Sequence, residues 1–357
     1  MNFDLSEEQE LLQQTVRQFV ENEAPPTRVR ELFDAEEELD RPLWNGLVEV
    51  GIGGLHLPEE HGGAGLELLD LALAAEVLGW GATPGPFFGH SLAGLAIALG
   101  GSDAQKKSWL PKLATGDALG TVAFRDEGGW LPEEWQLPAG AKLDGSKQHV
   151  PYGAQADVIV AGTAGGGLTL VEGGSAGLEV KPVSASDRTR RIHDLILSGV
   201  ASEALPGGAD AAARVRDAAL ILLAADAFGG AQRLVEMCTE YAKTREQFGV
   251  TIGHFQALKH QLASMAIEVE PARGLYWYAA HAFDHVPEEA ERYAALAKAH
   301  VTDLYLQVAR DSVEAHGGIG FTWECDVQIW FKRAMFDRAF LGLPQLHRER
   351  SAQLADW

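Results

Sequence analysis

Four long helical runs close the chain, and they limit its architecture more than any other feature. They read "ADAAARVRDAALILLAADAFGGAQRLVEMCTEYAKTREQ", "FQALKHQLASMAIEVEPARGLYWYAAHAF", "EEAERYAALAKAHVTDLYLQVARDSVEAH" and "DVQIWFKRAMFDRAFLG". Helices of this length in succession predict an antiparallel bundle over 208–357. The stretch "RAFLGLPQLHRER" is expected to end the last helical segment. The aromatics of "LYWYAA" and "IWFK" are expected in the core or at an interface, and the apolar bundle faces are expected to hold an oligomer together.

The remainder divides in two. Residues 1–116 carry helical spacing: Ser6 is placed to cap "EEQELLQQTVRQFVEN", and "RPLWNGLVEVG", "LLDLALAAEVLGWG" and "SDAQKKSWLPKLATG" each end in glycine. Residues 117–207 change texture, with short β-rich runs such as "LGTVAF", "ADVIVAGTA" and "LEVKPV" between Gly, Pro and Asp turns. These predict a small antiparallel sheet or barrel. The turn "GTAGGG" is read as a hairpin, because no helix follows it to make a phosphate cradle. The predicted fold class is mainly α with a central β-domain: an N-terminal helical domain (1–116), a β-domain (117–207) and a C-terminal bundle (208–357).

Charge narrows the function. With 51 acids against 29 bases the net charge is −22, which argues against nucleic acid and anionic membranes as partners. Cys238 and Cys325 stand far apart with no histidine cluster nearby, so buried thiols are expected and no metal site. The acidic start "MNFDLSEEQE" lacks the pattern of a signal peptide, and no apolar run reaches membrane-spanning length; a cytoplasmic enzyme is expected.

Two stretches point further. "YAKTREQFGVTIGHFQALKHQLASM" (Tyr241 to Met265) and "VEAHGGIGFTWE" (Val313 to Glu324) resemble the two signature regions of acyl-CoA dehydrogenases. The likeness runs the length of the chain in domain order, strongest in the bundle. It implies FAD shared at a subunit interface, an acyl-CoA substrate and electron-transfer flavoprotein as acceptor. In that family a carboxylate removes the α-proton of the thioester while the β-hydrogen leaves as hydride to the flavin. The resemblance implies Arg245 at the FAD diphosphate and Gln247 beside it, with Phe248, Ile252 and Phe255 walling the adenosine. Gly317 and Gly318 would let the backbone approach the other end of the same cofactor, with Glu314 where the family usually has glutamine.

Other family positions are altered. The Thr-Glu-Pro stretch and Gly-Ser pair that line the flavin ring are replaced by "AFRDEGGWLPEE", Ala123 to Glu134. The Trp-Ile-Thr-Asn-Gly stretch becomes His149, Val150, Pro151, Tyr152 and Gly153. His149 stands where tryptophan stacks on the ring, and is read as a strand-end histidine with ordinary polar contacts. Pro151 stands where threonine donates a hydrogen bond, and it has no donor. The glutamate base of many members is Leu341 here, and the alternative base position is Ala219, followed by Leu220. Asp226, on a face similar to that of Ala219, is the remaining candidate base, weighed against a cap or a bridge to a neighbouring subunit. Glu268, Glu270 and Arg273 are expected to form interhelical ion pairs.

This division resembles the base-less subunit of heterotetrameric (α2β2) acyl-CoA dehydrogenases of steroid and bile-acid side-chain breakdown. It implies a homologous partner carrying the catalytic glutamate. Two readings stand beside it: a homomeric dehydrogenase with Asp226 as displaced base, and a non-catalytic scaffold subunit on the same fold.

Overall fold

The computed structural model describes residues 4–355, so the first three residues of the acidic start lie outside it. The N-terminal part is α1 (Glu7–Glu23), α2 (Pro26–Asp34), α3 (Arg41–Glu49), α4 (Leu68–Trp80), α5 (Phe87–Gly100) and α6 (Asp103–Ala114). Ser6 caps α1 as expected. Its hydroxyl accepts from the Gln9 N–H at 3.2 Å and the Gln9 amide oxygen accepts from the Ser6 N–H at 3.1 Å, which satisfies two end donors reciprocally.

The β-part comprises β1 (Gly120–Ala123), β2 (Lys142–Pro151), β3 (Val158–Thr163), β4 (Gly167–Glu172), β5 (Leu178–Val183), β6 (Ile192–Ala201) and β7 (Glu203–Ala204). It forms two sheets, ordered β1-β3-β4-β7 and β2-β6-β5. "GTAGGG" is the hairpin turn between β3 and β4, with Gly165 and Gly166 at φ +80° and +75°. The expectation of a wholly antiparallel sheet needs correction, since β1 pairs with β3 in parallel. After β1 the chain makes a long excursion and gives β2 to the other sheet before returning, and such a crossover is what a parallel pair requires.

The bundle consists of α7 (Gly208–Thr244), a small hairpin of β8 (Glu246–Gln247) and β9 (Val250–Thr251), α8 (Gln256–His285), α9 (Pro287–Ala315), α10 (Val327–Ala339) and α11 (Pro344–Gln353). The last helical run is thus two helices. It breaks at Phe340–Leu343, where Leu341 and Gly342 take φ +59° and +102° and Pro344 starts the next helix. α7 is apolar and long enough to cross a membrane by composition, yet it is the core helix, packed by α4, α5, α8, α9 and α10. Its approach to α4 requires glycine: a Cβ on Gly229 would lie 1.9 Å from the Glu76 carbonyl oxygen, and one on Gly79 2.1 Å from that of Asp226. Tyr276 and Trp330, from the two aromatic runs, are buried in the core. Both cysteines are free and buried.

Candidate functional site

The end of α7 and the end of α9 meet beside the β8–β9 hairpin, and a cavity of ≈ 470 Å³ opens between them. Arg245 follows the last turn of α7, with its N–H on the Tyr241 carbonyl at 2.9 Å, and its own carbonyl accepts from the Ile252 N–H at 2.8 Å. These two bonds fix where the hairpin leaves the helix. At its tip Phe248 and Gly249 both have positive φ, +56° and +80°, the backbone of a tight two-residue hairpin turn. On the other side α9 stops at Ala315, and Gly317, at φ +64°, turns the chain into a short 3-10 segment, Gly317–Phe321.

Six of the residues expected at a cofactor line this cavity: Arg245, Gln247, Ile252, Glu314, Gly317 and Gly318. They come from sequence stretches about seventy residues apart. The guanidinium of Arg245 and the carboxylate of Glu314 have no ion-pair partner among the described residues. A Cβ on Gly317 or Gly318 would meet nothing within 4 Å, so the backbone there faces open space. Phe248 and Phe255 are not among the lining. Their rings meet edge to face at 6.1 Å, and Phe248 is 93% exposed at the hairpin tip. Tyr241 and His316, which the sequence reading missed, also line the cavity and stack on one another at 4.4 Å, 22° from parallel. His316 Nδ1 is 2.8 Å from the Ser312 carbonyl, and burial pushes its pKa down, leaving a neutral ring. The usable signal was proximity: Tyr241 lies one helical turn before Arg245, and His316 directly before Gly317.

The altered positions converge elsewhere, between the β-part and α10. The loop after β1 folds in on Asp126, whose carboxylate accepts from Lys147 Nζ at 2.8 Å and from the N–H groups of Gly128, Gln136 and Leu137. This brings Trp130 to 4.7 Å from the Phe340 ring and 5.9 Å from that of His149, and Phe340 stacks on Phe336 at 4.8 Å. Leu341 is buried next to this aromatic stack, and its carbonyl is 2.8 Å from His347 Nε2. His149 sits inside β2 rather than at a strand end, at a bulge with φ +55°. Its N–H donates to Asp194, while burial and then the Arg125 charge push the imidazole pKa down. Ala219 and Leu220 are fully buried in α7.

Asp226 bridges within the chain, not toward a neighbour. One oxygen is 2.5 Å from Arg190 Nη2 and 2.9 Å from Arg333 Nη1. Burial pushes its pKa up, but the two guanidinium charges outweigh burial and hold it below the usual carboxylate value. A carboxylate so paired and only 2% exposed is a poor proton acceptor for a bound ligand. Of the ion pairs expected on α8, one is interhelical, Arg273 to Glu76 of α4 at 3.3 Å. Arg273 to Glu270 at 3.1 Å is a bridge within α8, and Glu268 lies in a separate surface depression.

Residues 6–117 match the acyl-CoA dehydrogenase N-terminal domain and residues 208–355 the acyl-CoA dehydrogenase C-terminal domain. The chain belongs to the acyl-CoA dehydrogenase family. It has that family's fold, and the family's chemistry is FAD-dependent oxidation at a CH–CH bond. Acyl-CoA dehydrogenase IpdE2 of Mycolicibacterium smegmatis is 34% identical, with 96% of each chain covered. A solved steroid ACAD variant, Tcur3481-Tcur3483, is 31% identical with a TM-score of 0.90 over 98% of both chains. The ChsE4-ChsE5 complex from Mycobacterium tuberculosis is 29% identical with a TM-score of 0.89, covering 100% of this chain and 99% of the other. FAD suits the first cavity on structural grounds: a guanidinium without an ion-pair partner among the described residues lines it for a diphosphate, two glycines leave the backbone approachable, and the Glu314 carboxylate in the same lining could accept from ribose hydroxyls or an amide.

Proposed function

We propose that this chain is the base-less subunit of a flavin-dependent acyl-CoA dehydrogenase that introduces an α,β double bond into the CoA thioester of a steroid or similarly bulky side chain. It contributes Arg245, Gln247, Ile252, Glu314, Gly317 and Gly318 to the adenosine-diphosphate end of an FAD shared with a homologous partner, with Phe248 and Phe255 flanking. The partner supplies the catalytic glutamate. When bound, FAD accepts the hydride from the β-carbon, and electron-transfer flavoprotein is the expected outlet. The three-part division at 116/117 and 207/208 and a cytoplasmic setting belong to the same reading.

One contrast carries it. The cavity at the end of α7 keeps an unpaired arginine and open glycines, whereas the positions of the family's base hold Leu341 and Ala219, both packed in apolar surroundings. The two paired names among the solved relatives, Tcur3481-Tcur3483 and ChsE4-ChsE5, agree with a partner of like fold. The homomeric reading loses ground because Asp226 is committed to two arginines.

The test is purification on a tag carried by this chain from cells that also make its partner, followed by flavin and mass measurement. One FAD per two unlike chains is expected, and Arg245→Ala should strip most of it. A homotetramer with one FAD per chain would refute the proposal. Full flavin content and activity in Arg245→Ala would favour the scaffold reading.

A further inference from the structure

The loop that bears Gly317 and Gly318 continues to α10 through a stretch that stands largely in solvent. Phe321 is 76% exposed and Trp323 36%. Two fastenings hold it. One is on the bundle: the Gly320 carbonyl accepts from Gln328 Nε2 at 2.6 Å, and a Cβ on Gly320 would lie 2.2 Å from the Val313 carbonyl oxygen. The other comes from the opposite end of the sequence. Arg30 of α2 places Nε 3.2 Å and Nη2 2.5 Å from Asp326 Oδ1, and its Nη1 donates to the Trp323 carbonyl. The same guanidinium lies 4.8 Å from the centre of the Trp323 ring, which Phe33 meets at 4.8 Å from α2 as well. One planar cation thus holds a carboxylate, a carbonyl and an indole face at once, a set that lysine cannot match.

α2 is itself tied to the β-part. Arg191 Nη2 donates to the Leu32 and Ala35 carbonyls at 3.2 and 2.8 Å, capping the end of α2, and Arg188 lies 3.7 Å from Asp34. Contacts therefore run from the connection before β6, through α2 and Arg30, to the loop that lines the cavity.

We propose that Arg30 is a positioning residue for the ligand held in that cavity: it fixes the Trp323–Asp326 end of the loop, and so sets where the Gly317–Gly318 backbone stands. This rests on the reading of the cavity as half of an FAD site. Removing the clasp leaves the Trp323–Asp326 end held by the Phe33 ring and by Trp323 Nε1 donating to Asp34 at 3.4 Å, and so less firmly placed. FAD binding then has to order the loop, while the acyl-CoA site of the partner is untouched.

The experiment uses the complex purified on this chain, compares Arg30→Ala, Arg245→Ala and the swap Arg30→Asp with Asp326→Arg, and reads FAD dissociation, acyl-CoA KM, kcat at saturating FAD, and Tm. Arg30→Ala is expected to weaken FAD by roughly tenfold with KM and saturated kcat unchanged, and the swap, which restores the ion pair but not the bond to the Trp323 carbonyl, to recover part of the loss. A drop in Tm alone, with FAD affinity within about twofold of the parent while Arg245→Ala still releases the cofactor, would overturn the role of Arg30 and leave the cavity's assignment standing. If neither substitution alters FAD affinity, the assignment falls and the inference with it.

Discussion

Leu341 occupies a backbone conformation that side-chain-bearing residues avoid, at φ +59°, and is 3% exposed. The left-handed region costs a residue of this kind about 1–2 kcal/mol, and burying a leucine returns about 1.5–3 kcal/mol, so packing holds the turn. A proton-accepting group there would be buried. Leu341→Glu is therefore expected to lower stability by about 1–3 kcal/mol through burial of an unpartnered carboxyl, and to yield no dehydrogenase turnover by this chain alone. Thermal unfolding and single-chain assays check both, and turnover in the isolated variant would show that the pocket needs nothing but its base. At this scale the sequence was informative where function resides in backbone and charge: its motifs single out Arg245, Gly317 and Gly318, which line one cavity rather than opposite ends of a site. Phe248 and Phe255 stand outside the cavity lining, because a residue type says aromatic without saying whether a hairpin tip turns it inward. The Tyr241–His316 stack depends on how two helix ends meet, which neither stretch encodes alone.

Among the elements, helices were legible because capping and periodicity are local, as at Ser6, whereas the parallel pairing of β1 with β3 depends on where the excursion over 124–157 goes. The break after α10 was hidden because "RAFLG" continues the helical spacing. It is held by one partner distant in sequence, Lys298 of α9, which donates to the Asp337 and Arg338 carbonyls at 2.5 and 3.1 Å, and by one close in sequence, His347, which reaches back to Leu341. Burial, then the nearby Lys298 charge, push His347 from its ordinary 6.5 to about 4. Burial pushes His56 and His90 to about 4 as well. Such a ring stays neutral in the native state at pH values where the unfolded chain takes up a proton. Its contribution is intact above about pH 6.5 and is lost progressively as the pH falls toward 4. From pH 6.5 to 5 one histidine alone removes about 1.6 kcal/mol. His347→Gln keeps a donor for the Leu341 carbonyl and removes the titration, so its urea midpoint should fall less than the parent's between pH 7 and 5. Parallel declines would mean that His347 takes up its proton in the native state as readily as in the unfolded chain.

Across the whole molecule, one side chain reaches all three parts. Arg333 of α10 is fully buried, with Nη1 2.9 Å from Asp226 of α7, Nη2 2.9 Å from the Thr83 carbonyl between α4 and α5, and Nε 3.0 Å from Thr189 Oγ1 in the connection before β6. Asp187 in that connection adds an oxygen at 3.4 Å from Nε. No single domain satisfies this guanidinium, so its burial is complete only when the N-terminal helices, the sheets and the bundle are docked together. Breaking a buried pair by removing one partner costs about 3–5 kcal/mol, because the remaining charge stays out of water without compensation. Here Arg190 still faces Asp226, and Asp187 still accepts from the Thr189 hydroxyl and N–H, so Arg333→Leu should fall toward the lower end, about 3 kcal/mol. The shape of the transition is the sharper readout. With the shared cation gone, calorimetry should show the single endotherm broaden or divide, with the β-part unfolding at lower temperature than the bundle. An endotherm shifted down but unchanged in width would place the coupling in the apolar contacts of α7 with α4 and α5, and reduce the charge network to a local contribution.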